Sequence, residues 1–245
     1  MKIAIKVILL LLVAGYLVYA IIELSEPTEE RICQGVDIEI TDTLEGGCVT
    51  PGYIQELLTK NKFYVEGQKL SAIDIHSLEK LLCADPYIDS AICYCSAASH
   101  LFIQVIPQRP ILHIMQNNGE SYYLDGSGAT MPVGYMNLDL CIATGNINKN
   151  FAKKHLLPLA KFIHDSDFWD KQIEQIHVTD SQKIELYPRV GEHVIILGSA
   201  DGFTKKLEHL KLFYKNGLSK TGWNKYASVN LSYDGQIVCT KRKKH

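Results

Sequence analysis

The residues that could do chemistry in this chain are spaced in ways that do not assemble a catalytic centre. Asp125-Gly126-Ser127-Gly128 puts an acid, a hydroxyl and two glycines in one turn. An aspartic-protease turn needs Thr or Ser directly after the aspartate, and a second aspartate to share its proton. Here Gly follows Asp and no second copy occurs, so the run reads as a hairpin turn. Gly198-Ser199 lacks the Gly-x-Ser-x-Gly elbow of a nucleophilic serine and reads as the cap of a helix before Phe203. The nine histidines, His76, His100, His113, His155, His164, His177, His193, His209 and His245, form no His-Glu-x-x-His and no His/Cys pair at ligand spacing, which leaves scattered surface positions. Cys93 and Cys95 share one face of a strand, whereas redox and zinc pairs have two residues between the cysteines. With Cys33, Cys48, Cys83, Cys141 and Cys239 the total is an odd seven. The cysteines are therefore expected to be buried small hydrophobes rather than a disulfide framework. No glycine-rich loop follows a strand to cradle a phosphate. The expectation is a protein without catalytic residues, metal or cofactor.

What remains is the chemistry of the backbone. Val229, Leu231 and Tyr233 alternate with Ser228, Asn230 and Ser232, Asp234-Gly235 supplies a hairpin turn, and Gln236 to Thr240 returns. A terminal hairpin leaves one strand with unpaired N–H and C=O groups, and no proline or bulge-forming glycine interrupts this one. Strand addition by a partner would involve Val229, Leu231, Tyr233, Gln236, Ile237, Val238, Cys239 and Thr240. Gln236–Thr240 is the receiving edge, with Ile237 and Cys239 on one face and Val238 on the other. The alternative is an edge covered by the chain's own earlier strands. Beyond it, 241–245 is a basic tail that reads as a solvated chain end.

The elements that must position this edge follow from composition and periodicity. At 245 residues, with 47 % hydrophobic and 21 % charged side chains, the chain has room for one large or two small domains. A net charge of −2 and a pI near 6.5 leave no general pull towards nucleic acid. Val7 to Ile22 carries no charge, and Ile3 to Ile22 supplies the roughly 20 apolar residues of a membrane span if Lys6 snorkels to the headgroups. Lys2 and Lys6 before it, and Glu23, Glu26, Glu29 and Glu30 after it, put the N-terminus in the cytoplasm and the rest outside the inner membrane. A signal peptide cleaved after Val18-Tyr19-Ala20 is the competing reading.

Residues 23–31 read as a linker. A strand over Cys33–Thr41 precedes a helix opened by Thr50-Pro51, with Ile54, Leu57 and Leu58 on one face. A second helix starts at Ser71 or Asp74 and carries Ile75, Leu78 and Leu82 until Pro86. Strands follow at Ser90–Cys95 and Leu101–Ile106, the latter apolar on both sides like a strand covered by helices. Pro107 and Pro110 then stiffen the path, with Arg109-Pro110 as the interdomain junction. After them come a strand at Ile111–Met115, an Asn118-Gly119 turn, Tyr122–Asp125, and Ala129–Pro132 leading away. The later part of the chain holds a helix around Phe151–Ile163 and strands at Ile173–Val178, Lys183–Tyr187 and His193–Leu197. A helix with Phe203, Leu207, Leu210 and Tyr214 ends at Gly217. The fold class is α+β: an N-terminal transmembrane helix (1–22), a βααββ module (32–114), and a second mixed α/β domain with an extended, antiparallel-rich sheet (115–240).

In that order the chain resembles the FtsQ/DivIB family of bacterial cell-division proteins, and its first module resembles a POTRA domain. The stretches that carry the resemblance are Tyr64-Val65-Glu66-Gly67, Pro86-Tyr87-Ile88-Asp89-Ser90-Ala91, Val105-Ile106-Pro107-Gln108-Arg109-Pro110-Ile111-Leu112 and Tyr123-Leu124-Asp125-Gly126-Ser127-Gly128. Ile195-Ile196-Leu197-Gly198, Lys205-Lys206-Leu207 and Val229 to Val238 follow. Gln108 stands where the family often has Glu, and Ser232 where a basic residue often precedes the aromatic. The resemblance implies a divisome scaffold at the septum that links early and late division proteins. It also implies as partners FtsB-like and FtsL-like coiled-coil proteins and components of the septal synthase. An exported hydrolase acting on peptidoglycan or peptide is the rival reading from another class. A POTRA-bearing chaperone of envelope assembly is weakened because only one such module is present and no barrel-like strand series follows.

Overall fold

The uncharged run near the start folds as one helix, α1 (Lys2–Leu24), in the computed structural model, which describes residues 2–24, 31–41, 46–134 and 136–243. Its 23 residues extend about 35 Å at the α-helical rise. Leu10, Leu11, Leu12, Val13, Leu17 and Val18 are all exposed on it. The sequence called for a transmembrane helix over 1–22. The structure supplies a helix there, yet among the described residues no helix is long and apolar enough to cross a membrane. Most of the expected linker at 23–31 lies outside the described residues.

The chain folds as two compact units, one ending at Ile106 and one running from Pro107, with Thr43–Cys48 counted in the second. In the first, β1 (Gly35–Ile40), α2 (Pro51–Lys60), α3 (Ile75–Cys83), β2 (Ile88–Cys95) and β3 (His100–Pro107) follow in order. Thr50 starts α2: its hydroxyl accepts the Tyr53 N–H at 3.1 Å, and Pro51 stands at the first turn, where a missing donor costs nothing. Asp74, not Ser71, starts α3. Its carboxylate accepts the Ser77 N–H at 3.0 Å and hydroxyl at 2.6 Å, and these two bonds hold the carboxyl below the ordinary aspartate range. Each such cap stabilises a helix through a donor that has no partner inside it.

The sheet runs β1-β3-β2, with β1 and β3 parallel. The two helices cover one face, burying Ile54, Leu58, Leu78 and Leu82 against Leu101, Ile103 and Val105. Leu101–Ile106 was expected to be covered on both sides; instead, burial alternates along β3 because helices pack on one face only. On the other face Phe102 stacks on Tyr94, ring centroids 5.3 Å apart. Cys33 and Cys93 are buried, and burial pushes the Cys93 thiol up to about 12, so it stays a thiol. Cys83 is exposed, so the small-hydrophobe expectation fails there.

The second unit carries a nine-stranded sheet. Its elements are β4 (Pro110–Gln116), β5 (Ser121–Asp125), β6 (Thr130–Pro132), β7 (Ile142–Gly145), α4 (Lys149–Phe151), a π-helical turn at Ala152–Leu156, α5 (Leu157–His164) and α6 (Asp167–Asp170). Then come β8 (Ile173–Val178), β9 (Ile184–Pro188), β10 (Val194–Gly198), α7 (Phe203–Phe213), a π-helical turn at Tyr214–Leu218, α8 (Ser219–Thr221), β11 (Tyr226–Asn230) and β12 (Val238–Lys241). The strand order is β12-β11-β10-β9-β8-β7-β4-β5-β6. Because β4 belongs here, a first domain reaching 114 is too long: Pro110 already opens a strand of the second sheet. Ala129–Pro132 does not lead away but returns as β6 beside β5.

Two glycine readings also change. Gly217 does not stop α7, since the chain continues through the π-helical turn to Gly222, whose φ of +94° is a conformation that side chains resist. Ser199 does not cap α7 either. Gly202 holds that position with φ +64°, and the Ser199 hydroxyl bonds instead with Asp201.

The helices cover one face of this sheet, packing Leu156, Leu159, Ile163, Leu207, Leu210 and Leu218 on strand residues such as Leu112, Ile176, Leu186 and Val229. The other face carries one cross-strand row: Met115, Thr144, His177, Glu185, Ile196, Asn230 and Val238 stand opposite one another in register. Thr144 Oγ1 lies 3.0 Å from His177 Nδ1 and accepts the Gln175 amide at 2.8 Å, so the row is polar in its middle.

Candidate functional site

Asp125, the residue closest to a catalytic motif, is structural. It is buried, and its carboxylate accepts Ser127 N–H at 2.9 Å, Ala129 N–H at 2.6 Å, the Ser127 hydroxyl at 2.8 Å and Gln108 Nε2–H at 2.6 Å. An ionised glutamate at 108 could not donate to this carboxylate, so the bond depends on the Gln108 amide. Among the described residues no group of three His, Cys, Asp or Glu is placed to hold a metal ion.

The terminal hairpin is built from β11, the Asp234-Gly235 turn (Gly235 φ +69°) and β12. β12 is the outermost strand of the sheet, and among the described residues no other strand lies beyond it. It spans Val238–Lys241 rather than Gln236–Thr240, so Gln236 and Ile237 belong to the approach from the turn. Of the expected contact residues, Val229 and Leu231 are buried in the core and tie the hairpin to the helices instead of facing outward. Tyr233, Gln236, Val238 and Thr240 are exposed, while Ile237 and Cys239 pack partly on the core. Arg109 and Pro110 lie elsewhere, at the start of β4.

Backbone parity decides which groups of β12 are open. The Arg242 N–H donates to the Lys225 carbonyl at 3.1 Å, towards β11. With a period of two, the amides of Thr240 and Val238 also turn inward, and those of Cys239 and Lys241 turn outward.

Residues that the sequence reading left out brace this edge. The tail is not simply solvated: Lys241 is in β12, and the Arg242 guanidinium holds the Glu192 carboxylate and donates to the Glu192 carbonyl at 2.8 Å. His193, expected at the surface, is buried, and its Nε2 lies 2.8 Å from the Tyr214 hydroxyl. Burial holds its imidazole below the ordinary histidine range, the Arg242 guanidinium adds to the effect, and burial likewise pushes the Tyr214 phenol up. Tyr214 packs edge-on to Trp223, centroids 5.0 Å apart. At the other end of the hairpin Lys206 Nζ donates to the carbonyls of Leu197 (3.0 Å) and Ser199 (2.9 Å). Lys205 stands 3.8 Å from Asp234. Asp201, Gly202, Lys205, Lys206 and His209 at the α7 end and Leu231 to Ile237 of the hairpin line a partly open cavity of about 160 Å³. Local sequence gives no signal for the His193–Tyr214, Lys205–Asp234 and Glu192–Arg242 contacts, because each joins residues far apart in the chain.

A family model described as FtsQ/DivIB, C-terminal related, matches residues 109–240, and one described as a POTRA-like domain matches residues 31–106. No curated protein matches the chain.

Proposed function

The chain belongs to the FtsQ/DivIB family, a family of cell-division scaffold proteins, and from that premise we propose that it links early and late divisome proteins at the septum by binding them, without catalysis. The observation that carries the proposal is the outermost position of β12, whose Cys239 and Lys241 backbone groups face away from the sheet. A partner segment adding there would gain main-chain hydrogen bonds, while Val238 and Thr240 on one face read its side chains. FtsB-like and FtsL-like single-pass proteins are the proposed partners, and septal synthase components would be joined through them.

The proposed setting is the bacterial inner membrane, with the N-terminus cytoplasmic and both units in the periplasm. Two features support it: the lysines precede the apolar run, and α1 exposes Leu10 to Val13, Leu17 and Val18, a surface that water disfavours. Depleting the protein should give filamentous cells without septa, and the native chain solubilised from membranes should bring septal membrane proteins with it. A mature product beginning at Ile21, or normal septation after depletion, would overturn the proposal.

A further inference from the structure

One edge strand of the first unit's sheet is β1, and the chain itself shows how its edge is used. Gln34 N–H donates to the Ser99 carbonyl, on the β3 side, so the groups of Cys33 point to the opposite, outer side. There they are met by the chain's own 67–70 stretch: Cys33 N–H donates to Gln68 O at 2.8 Å, Gly67 N–H to Cys33 O at 2.9 Å, and Leu70 N–H to Arg31 O at 2.9 Å. Ile32 and Lys69 form an antiparallel bridge, with Leu70 buried. This short stretch starts a fourth strand and then stops. Within β1 the alternation is reset, because Thr41 N–H donates to Val105 O: the groups of Gly35, Asp37 and Glu39 turn to β3, those of Val36, Ile38 and Ile40 turn outward, and among the described residues no strand pairs with them.

The side chains along this edge are incompletely buried as well. No residue of β1 is fully buried, including Val36, Ile38 and Ile40, which face the helices. Beside them runs a groove of about 480 Å³ lined by Val36, Leu58, Phe63, Tyr64 and Val65, with Tyr64 largely exposed. On the opposite face of β1 the side chains are Asp37, which lies 2.9 Å from His100 Nδ1, and the exposed Glu39. An added strand would set alternate side chains into the groove and the others directly across from these two carboxylates.

We propose that the outer edge of β1 from Gly35 to Ile40 receives an extended segment of a partner protein in which apolar residues alternate with basic ones. The apolar residues fill the groove and the basic residues face Asp37 and Glu39, an alternation like that of exposed Lys69 and buried Leu70 in the chain's own short stretch. This surface is separate from β12 and does not depend on what binds there.

The test uses the full chain in detergent micelles and two synthetic capped peptides, one alternating lysine with valine and one alternating glutamate with valine. Amide hydrogen exchange read residue by residue should slow at Val36, Ile38 and Ile40 with the lysine peptide, which should bind at least about tenfold tighter than the glutamate peptide. Glu39→Lys, a change at an exposed position, should narrow or invert that preference. Equal binding of the two peptides, absence of protection on β1, protection confined to Cys239 and Lys241, or a preference unchanged by Glu39→Lys would each overturn the proposal.

Discussion

Cys239→Pro in the full chain is expected to leave the protein folded and to weaken partner binding by about a hundredfold, roughly 3 kcal/mol. The Cys239 N–H faces away from β11, so proline removes no bond within the sheet. It deletes a donor to the incoming strand and puts its ring where the partner's backbone must lie. Val238→Pro is the informative contrast. The Val238 N–H turns towards β11, opposite Asn230, so that variant should lower thermal stability as well as binding. If Cys239→Pro is folded by circular dichroism and binds its partners unchanged, strand addition at β12 is the wrong mechanism. If the two proline variants behave alike, the parity argument is wrong.

His193→Ala should cost roughly 2–4 kcal/mol, since it opens a cavity and leaves the buried Tyr214 hydroxyl without its partner. The same substitution should change the pH dependence of stability. The folded protein keeps His193 neutral to a lower pH than an ordinary histidine, whose value is about 6.5. Below that value the unfolded chain takes up a proton that the native state refuses, so stability is full above about pH 6.5 and declines as pH falls towards the lowered native value. The slope approaches about 1.4 kcal/mol per pH unit for one such group. Burial also lowers His113, so His113→Gln is the necessary control. Denaturant titrations between pH 7.5 and 5 should give a flatter curve for His193→Ala than for the native chain or for His113→Gln. Parallel curves for all three would remove His193 from the account. The groups that act on it are Tyr214, the Trp223 backbone and Arg242, and Arg242 with Glu192 also anchors the end of β12. Loss of the histidine should therefore loosen the hairpin before the rest of the sheet.

The parts of this fold that were legible in sequence are those with local causes. Thr50-Pro51 and Asp74 announce helix starts because a cap acts within one turn. Asn118-Gly119 and Asp234-Gly235 announce hairpins because positive φ falls to glycine. β7 was missed. Four residues, Ile142-Ala143-Thr144-Gly145, are too few for a period, and the strand exists because β4 and β8 flank it in parallel register. The one-sided cover of β3 was misread for a related reason: Phe102 and Ile106 are apolar, but what lies over them is decided by distant elements. At the candidate site the alternation signalled a strand, but of Val229, Leu231 and Tyr233 only Val229 lies in β11; Val229 and Leu231 turn inward to the core and Tyr233 is exposed. The inward face of an edge strand is as apolar as a binding face, and only the packing of Leu207 and Leu210 against it tells them apart. His193 and the Glu192–Arg242 pair carry no local signature at all.

The central claim, that β12 is the surface through which this scaffold holds its partner, is tested most directly by a photo-reactive residue at Val238 in the full chain in dividing cells. Val238 is exposed on β12, and Met115, equally exposed on β4 at the far side of the same sheet face, serves as the control position. The account predicts an adduct to a septal membrane protein from position 238, none to that protein from 115, and loss of the adduct when Cys239→Pro is added. An adduct from 115 but not from 238, or one from 238 that survives Cys239→Pro undiminished, would contradict it.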